Sequence, residues 1–150
     1  MAKVIELIAS IELGKRVFYE KEKSNIKLNN STKIFEYFKD IFIKKSQEEF
    51  YAIYLNTKSM LITYKLLFKG TINISCVHSR EVIKYDVIES AYSIIIMHNH
   101  PSNDTTSSVQ DEEITYSLIK IGKTMGIPVV DHIIIGRDNY YSFYEHMNCK

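Results

Sequence analysis

Apolar residues in the first part of the chain recur with the spacing of an α-helix. They predict one helix over residues 2–22 and a second one that ends at Ile43 and is capped by Ser31 or Thr32. The polar stretch between them, KEKSNIKLNN, lacks this period and predicts a linker or an exposed loop. The chain therefore opens with two helices joined by polar residues.

From Phe50 onward the pattern changes to short runs of apolar, β-branched and aromatic residues, which predict strands. One helix is predicted between Ser79 and Tyr92, and another from Ser108 to near Gly126. The predicted strands are FYAIYL, MLITYKLLFKG, TINISCV, SIIIM, VVDHIII and YYSF. This mixture predicts an α/β or α+β fold, with a mixed sheet flanked by helices on both faces.

The composition is that of an ordinary soluble globular protein. The chain has 150 residues, of which 45% are hydrophobic and 25% charged, enough for one domain with its own core. A formal net charge of +1 argues neither for nor against a nucleic-acid partner. No apolar run has the length of about 18 residues that a membrane span needs, so no membrane partner is expected. Cys76 and Cys149 form no pair motif, which favours a reducing cytoplasm.

Two histidines follow the apolar run SIIIM directly. His98 and His100 are two residues apart, so at a strand end their side chains lie on one side and can bind one ion. If Ser108 caps the next helix, Asp111 lies in its first turn and can turn back toward the strand end. Two imidazoles and one carboxylate leave a position open on Zn²⁺, as catalytic sites do. The alternative interpretation makes Ser108 and Asp111 a capping pair and the histidines loop residues.

The stretch HNHPSNDTTSSVQDEEIT matches the JAMM motif of the JAB/MPN metallopeptidase family, and its closer resemblance is to RadC-like proteins. The likeness continues in LNTKSMLI, FKGTINIS, VHSREVIK, GIPVVDHIIIG and YYSF, and so covers about residues 46–145. It implies a JAB/MPN fold with a three-layer arrangement like that of cytidine deaminases. It also implies one zinc ion held by His98, His100, Asp111 and a water molecule.

The loop between the histidines and Asp111 departs from the family wording at three positions. Asn103 replaces the usual glycine, and Thr105 and Ser107 replace two prolines. Asparagine tolerates a positive φ better than other non-glycine residues, so the turn is expected to persist. The loss of both prolines predicts a looser loop.

The resemblance also implies a general base, a glutamate at the head of the first strand. The family pattern E-x-F-x-x-x-x-x-N falls on Glu48, whereas Glu49 would point to the other side of the strand. The alternative is that both are solvated charges at a strand end. Ser108 is implied to hold the oxyanion or the water, although its hydroxyl group can equally cap the helix.

His132 recurs in RadC-like sequences, within DHIII. It is either a residue that orients a metal ligand or the loop, or a structural histidine. His78 and His146 are predicted to lie on the surface. Asp104 and Asp131 lack the spacing of a ligand, which Asp111 has.

Three segments are expected. Residues 1–24 resemble the last helix of the helix-hairpin-helix region of RadC proteins, residues 25–45 form a linker and a helix, and residues 46–150 form the JAMM domain. The Gly-rich hairpin that would contact DNA is not within these residues. A DNA partner is therefore implied by family association alone.

The resemblance implies a zinc-dependent hydrolase that cuts a peptide or isopeptide bond in a protein or peptide substrate. The alternative is a non-catalytic, metal-bound interaction module associated with DNA repair or recombination, since one fold can host several functions. A nuclease would need groups that hold phosphates, and only scattered lysines offer them.

Overall fold

The computed structural model describes residues 2–23, 26–70 and 78–148. These residues form five α-helices, a 3₁₀ segment and a five-stranded sheet. In chain order the elements are α1 (Ala2–Lys23), α2 (Ser31–Phe38), the 3₁₀ segment (Lys39–Phe42), β1 (Glu48–Leu55), β2 (Leu61–Gly70), α3 (Ser79–Glu89), β3 (Ser93–Asn99), α4 (Val109–Met125), β4 (Val129–Ile135), β5 (Tyr140–Ser142) and α5 (Phe143–Asn148). The predicted strand TINISCV lies outside the described residues.

The sheet is mixed, with strand order β2-β1-β3-β4-β5. Strand β1 runs antiparallel to β2 and β3, β3 runs parallel to β4, and β4 runs antiparallel to β5. Helix α4 is the crossover that a parallel pair needs, and it returns the chain from the end of β3 to the start of β4. This confirms the predicted mixed sheet flanked by helices.

Both faces of the sheet are covered, so the fold has three layers. Alternate residues of β1 enter different cores, because successive side chains of a strand point to opposite faces. Tyr51 and Ile53 pack in the core under α2, while Phe50 and Ala52 pack in the core under α3 and α4. Every residue of β3 is buried, which explains why SIIIM shows no polar alternation.

Helix α2 begins one residue earlier than the predicted caps allow. The side chain of Asn30 accepts a hydrogen bond of 2.8 Å from the backbone N–H of Lys33, so Asn30 is the N-cap instead of Ser31 or Thr32. All the residues from Asn29 to Thr32 are good caps, and the sequence alone does not rank them. The helix also tightens into the 3₁₀ segment after Phe38 instead of continuing to Ile43.

Two other observed boundaries differ from the predicted ones. Helix α3 ends at Glu89 because Ser90 adopts a left-handed conformation with φ of 51°, so it does not reach Tyr92. The last predicted strand, YYSF, ends at Ser142, and Phe143 begins the unpredicted helix α5. Six residues are too few to show a helical period.

Helix α1 confirms the predicted helix over residues 2–22, but its apolar stripe is not buried among the described residues. Val4, Leu7, Ile8 and Ile11 are 51–62% exposed. In the described part of the chain, no helix combines the length and the apolar character that crossing a membrane requires.

Candidate metal centre

The end of β3 and the start of α4 bring three side chains together. The ligand atoms of His98, His100 and Asp111 all lie within 4.8 Å of one another. The two Nε2 atoms are 3.0 Å apart, and Asp111 approaches His98 at 3.2 Å and His100 at 3.4 Å. The side chains of His98 and Asp111 are fully buried, whereas that of His100 is 13% exposed. The three residues predicted from the sequence thus form one group, of which only His100 is partly exposed.

A chain of hydrogen bonds fixes the tautomer of His98. The hydroxyl group of Thr115 donates its only hydrogen to the carbonyl oxygen of Asp111 at 2.5 Å, so it must accept from Nδ1 of His132, also at 2.5 Å. A neutral His132 then has a bare Nε2, which accepts from Nδ1 of His98 at 2.8 Å. A neutral His98 consequently carries no hydrogen on Nε2, the atom that faces the group.

The loop that follows His100 orients its ring so that Nε2, as in His98, faces the group. Its Nδ1 atom donates to the carbonyl oxygen of Asp104 at 2.6 Å, which leaves Nε2 for the centre of the group. The backbone of Asp104 therefore holds the ring, while the side chain of Asp104 accepts from the N–H of Thr106 and takes no part in the group.

Ser108 and Asp111 form a capping box at the start of α4, as predicted. The Oδ2 atom of Asp111 accepts from the hydroxyl and the N–H of Ser108 at 2.7 and 2.8 Å. The Oδ1 atom is buried and has no hydrogen-bond donor among the described residues. It lies 3.2 Å from the bare Nε2 of His98, so two lone pairs face each other in a place that excludes water. Capping thus uses one oxygen of the carboxylate and leaves the other available to a metal ion.

The pKa values of the four groups have separate causes. Burial lowers the pKa of His98, and it lowers the pKa of His132 further, so both rings are neutral at pH 7. Burial also opposes protonation of His100, but hydrogen bonds to Asp111 and to the Asp104 carbonyl outweigh it and raise the pKa. Burial acts against ionisation of Asp111, yet the imidazoles of His100 and His98 and the N–H of Ser108 hold its pKa far below the usual range. The group therefore attracts positive charge to its centre.

This donor set fits a metal cation. Two imidazole nitrogens and one carboxylate oxygen point their lone pairs at one another, and the Asp111 Oδ1 atom lacks any other partner in the described part of the molecule. Such a nitrogen and oxygen set, with one side open, is common in catalytic zinc sites. The residues present can thus hold a metal ion of this type.

Glu48 lies beside this group, on the same face of the sheet. Phe50 pairs with His98, and Glu48 precedes Phe50 by two residues, so the side chain of Glu48 points to the face of the sheet that carries His98. Its charge acts on the pKa of both histidines, behind the larger effects of burial and Asp111. Glu48 is partly exposed, so its carboxylate can reach solvent at the open side.

Glu49 lies on the opposite face and is only 1% exposed. Lys45 and Lys69 approach its Oε1 atom at 3.1 and 3.0 Å, and the Tyr51 hydroxyl donates to Oε2 at 2.9 Å. The interpretation of Glu49 as a solvated charge at a strand end is therefore wrong. Glu49 is a buried, paired charge that anchors the start of β1.

Asn99, between the two histidines, holds the backbone on both sides of Glu48. Its Oδ1 atom accepts from the N–H of Glu49 at 2.8 Å, and its Nδ2 atom donates to the carbonyl of Gln47 at 3.2 Å. Asn99 is 4% exposed, so these bonds are shielded from water. One carboxamide thereby joins the ligand strand to the residues that flank Glu48.

The altered loop is held by its own side chains. Asn103 has a φ of 65°, which confirms that asparagine keeps the positive φ of the usual glycine. Its side chain accepts from the N–H of Arg137, and Asn139 donates to the hydroxyl of Thr105 at 3.4 Å. A Cβ atom at Gly136 would lie 2.8 Å from Cγ2 of Thr105 and 3.0 Å from Oδ1 of Asn103, so the two loops are closely packed. These contacts oppose the loosening expected from the lost prolines.

Asp131 is buried but lies away from the group of ligands. Its carboxylate accepts from the hydroxyl groups of Ser31 and Ser142 at 3.0 and 2.8 Å. It also accepts from the N–H groups of His132 and Tyr144 at 2.7 and 3.0 Å. Asp131 thus links α2, β4 and α5, a structural role. His78 and His146 are exposed, as predicted.

The fold and the ligand group define a JAB-type domain with a potential metal site. The sequence model of the RadC-like JAB domain matches residues 28–148, and the chain belongs to that family. Relatives include UPF0758 proteins of Halalkalibacterium halodurans (40% identical over 96% of this chain and 62% of that protein) and Finegoldia magna (40%, 98% and 66%). A UPF0758 protein of Chlorobaculum parvum is 35% identical over 97% of this chain and 65% of that protein. The chain thus spans about two thirds of the length of these relatives or slightly less.

Sequence reasoning missed Thr115 and Asn99. Thr115 is four residues after Asp111, so both lie on one face of α4, and this spacing was the available signal. Asn99 lies between the two histidines in the sequence and therefore faces the other side of β3. On that side its carboxamide is next to the start of β1 and can reach the backbone of that strand.

Proposed function

We propose that this domain is a zinc-dependent hydrolase of peptide or isopeptide bonds. The observation that carries the proposal is the convergence of three lone-pair donors, two of them in fixed tautomers, on a point with one exposed side. Zinc bound by His98, His100 and Asp111 would supply a Lewis acid and lower the pKa of a water molecule toward about 7. The proposal extends to the activity, the substrates and the partners of the longer relatives.

Glu48 is the proposed general base. Its carboxylate takes a proton from the attacking water and delivers it to the leaving nitrogen, a task that neither histidine can perform while its lone pair is engaged. Support comes from the alternation along β1, which directs the Glu48 side chain to the face of the sheet that carries His98, and from Asn99, which holds the backbone on either side of Glu48.

Ser108 and His132 have supporting parts in the proposal. Ser108 donates to Oδ2 of Asp111 and leaves Oδ1 for the metal. Its hydroxyl hydrogen can also stabilise the oxyanion once it turns from Asp111 toward the substrate. His132 accepts the Nδ1 hydrogen of His98 and so keeps the other nitrogen bare.

The test starts with metal analysis of the purified chain. We expect one zinc per chain after dialysis, and cleavage of fluorogenic peptides or of a probe with a Lys isopeptide bond. Glu48→Gln should keep the zinc and lower turnover by about 10²-fold or more. Glu113→Gln, at an exposed position of α4, is the matched control and should change neither quantity.

The outcomes separate the two interpretations. Stoichiometric zinc without cleavage of any probe by the wild type would favour a non-catalytic metal-bound module. Equal turnover of the wild type and Glu48→Gln would remove Glu48 from the mechanism while leaving the metal site in place.

A further inference from the structure

A cavity of about 580 Å³ opens beside His100. One wall is the 3₁₀ segment and the residues up to Lys45, and the other consists of the loop after β3 and the turn between β4 and β5. The volume is within the range of about 300–1,000 Å³ of ligand sites. Of the three candidate ligand residues, only His100, whose side chain is partly exposed, lines the cavity. A chain bound there would lie next to His100, the partly exposed member of the group.

The cavity has an apolar floor. Phe42 and Ile135 are buried beneath it, with 8% and 1% exposure, and Ile43 stands at its edge with 58% exposure. An exposed isoleucine next to a concave apolar surface can be covered by an aliphatic or aromatic side chain of a ligand. The floor therefore suits one apolar residue of a peptide.

The charged side chains around the floor are unequally paired. Lys45 is bound to Glu49 at 3.1 Å, and Lys39 is bound to Glu36 at 2.6 Å. Asp40 and Asp138 also lie near Lys39, since both help to raise its pKa behind the stronger effect of Glu36. Lys39 thus has three acidic neighbours, and its end of the cavity is acidic.

Lys44 and Arg137 are the other two basic residues that line the cavity. Both are exposed and line the cavity, and neither has an ion-pair partner within 4.0 Å among the described residues. The backbone of Arg137 is tied to Asn103, in the loop between the ligands, so this guanidinium starts from a fixed point near the metal centre. A guanidinium group binds a carboxylate through two parallel hydrogen bonds.

We infer that this cavity is a substrate subsite for a peptide segment in which an apolar residue is followed by a carboxylate, held by Lys44 and Arg137. The inference rests on the proposed hydrolase function and names its substrate class. The carboxylate belongs either to an acidic side chain or to a chain terminus. A phosphate backbone fits less well, because Asp40 and Asp138 line the same cavity and repel a ligand with repeated negative charge.

The test uses the zinc-loaded Glu48→Gln chain, so that bound peptides stay intact. The probes are four N-acetylated hexapeptides with one Leu, followed by Glu or Gln, each made as a terminal acid and as an amide. Dissociation constants are measured by calorimetry. We expect the best acidic peptide to bind about tenfold more tightly than the neutral amide. The Glu amide and the Gln acid distinguish a side-chain carboxylate from a terminal one.

Variants of the cavity give the sharper comparison. Arg137→Glu and Lys44→Gln should each remove most of the preference for the acidic peptide, while circular dichroism confirms that they are folded. Arg80→Glu is the matched control, because Arg80 is an exposed arginine on α3 that does not line the cavity. It should keep the tenfold preference.

Equal binding of acidic and neutral peptides would overturn the inference, as would a preference that survives both cavity variants. Arg137-dependent binding of a single-stranded oligonucleotide in competition with the acidic peptide would also overturn it, in favour of a phosphate ligand. Cleavage of neutral and acidic peptides at equal rates by the wild type would leave the hydrolase standing and remove the subsite. Charge-dependent binding without any cleavage would leave the subsite standing and remove the hydrolase.

Discussion

The Nδ1 atom of His98 lies 2.8 Å from the Nε2 atom of His132, so imidazoles on two adjacent parallel strands share one hydrogen. The ring of His132 is itself stacked on Phe143, with centroids 4.9 Å apart and an interplanar angle of 10°. A candidate metal ligand is thus held by a residue that itself packs in the core. Such outer partners fix the ring orientation and the tautomer of a ligand.

Replacing His132 by phenylalanine should weaken metal binding while keeping an aromatic ring in place. The Nδ1 hydrogen of His98 would lose its acceptor, and we expect zinc affinity to fall by about 10- to 100-fold. Thr115→Val, which keeps the shape but removes the hydroxyl group, should have a smaller effect in the same direction. Competition with a chromophoric chelator measures both. Unchanged affinity in both variants would show that the hydrogen-bond chain does not act on the metal.

The double replacement of His98 and Asp111 by alanine should abolish zinc binding, because one imidazole nitrogen would remain of the three donors. Elemental analysis of the dialysed protein measures the loss. Asp104→Asn is the control, since that side chain accepts from the N–H of Thr106 and is not one of the three candidate ligands. Stoichiometric zinc in the double variant would place the metal elsewhere.

Asn99→Ala should impair turnover through Glu48 and leave zinc bound. The variant leaves the Glu49 N–H and the Gln47 carbonyl without their partners, so the start of β1 loosens around Glu48. We expect a loss of about tenfold in turnover and faster hydrogen exchange at the Glu49 amide. In a Glu48→Gln background the same change should cost little more, because the two residues act as one unit. A full second loss in the double variant would separate Asn99 from Glu48.

Glu49→Gln should destabilise the fold without removing the metal. The change leaves the ammonium groups of Lys45 and Lys69 without their shared anion, and we expect a cost of about 1–3 kcal/mol in urea unfolding. Burial opposes ionisation, but Lys69, Tyr51 and Lys45 lower the pKa of Glu49 below 4.5. Wild-type stability from this group is thus present at neutral pH and lost as the pH falls through the folded pKa. Glu113→Gln, at an exposed position, should change stability by no more than about 0.5 kcal/mol.

The parts of the site that are local in sequence were predictable. His98, His100, Ser108 and Asp111 lie within one strand, loop and helix, where the periods of a strand and a helix and the capping rule suffice. The apolar run SIIIM before His98 likewise predicts a strand that is covered on both faces. Glu48 needed the family pattern, because its position beside the two histidines depends on pairing between β1 and β3.

The contacts that fix the tautomers were not predictable. Thr115 and His132 meet only because β4 lies parallel to β3 and α4 crosses above both, a set of non-local pairings that no period reveals. The environment of Glu49 has the same origin, since Lys69 reaches it from β2. Local patterns thus locate the ligands, and sheet topology decides how they are held.

All three candidate ligands lie between residues 98 and 111, so they stay close together along the chain even when it is unfolded. The entropy of closing so short a loop is small, and two histidines separated by one residue can capture zinc before any strand has paired. An unfolded chain that binds metal reduces the stability gained from ligand binding to the folded form. The unfolding midpoint should therefore rise less steeply with free zinc than the affinity of the folded site alone implies, which thermal melts over a range of zinc concentrations measure.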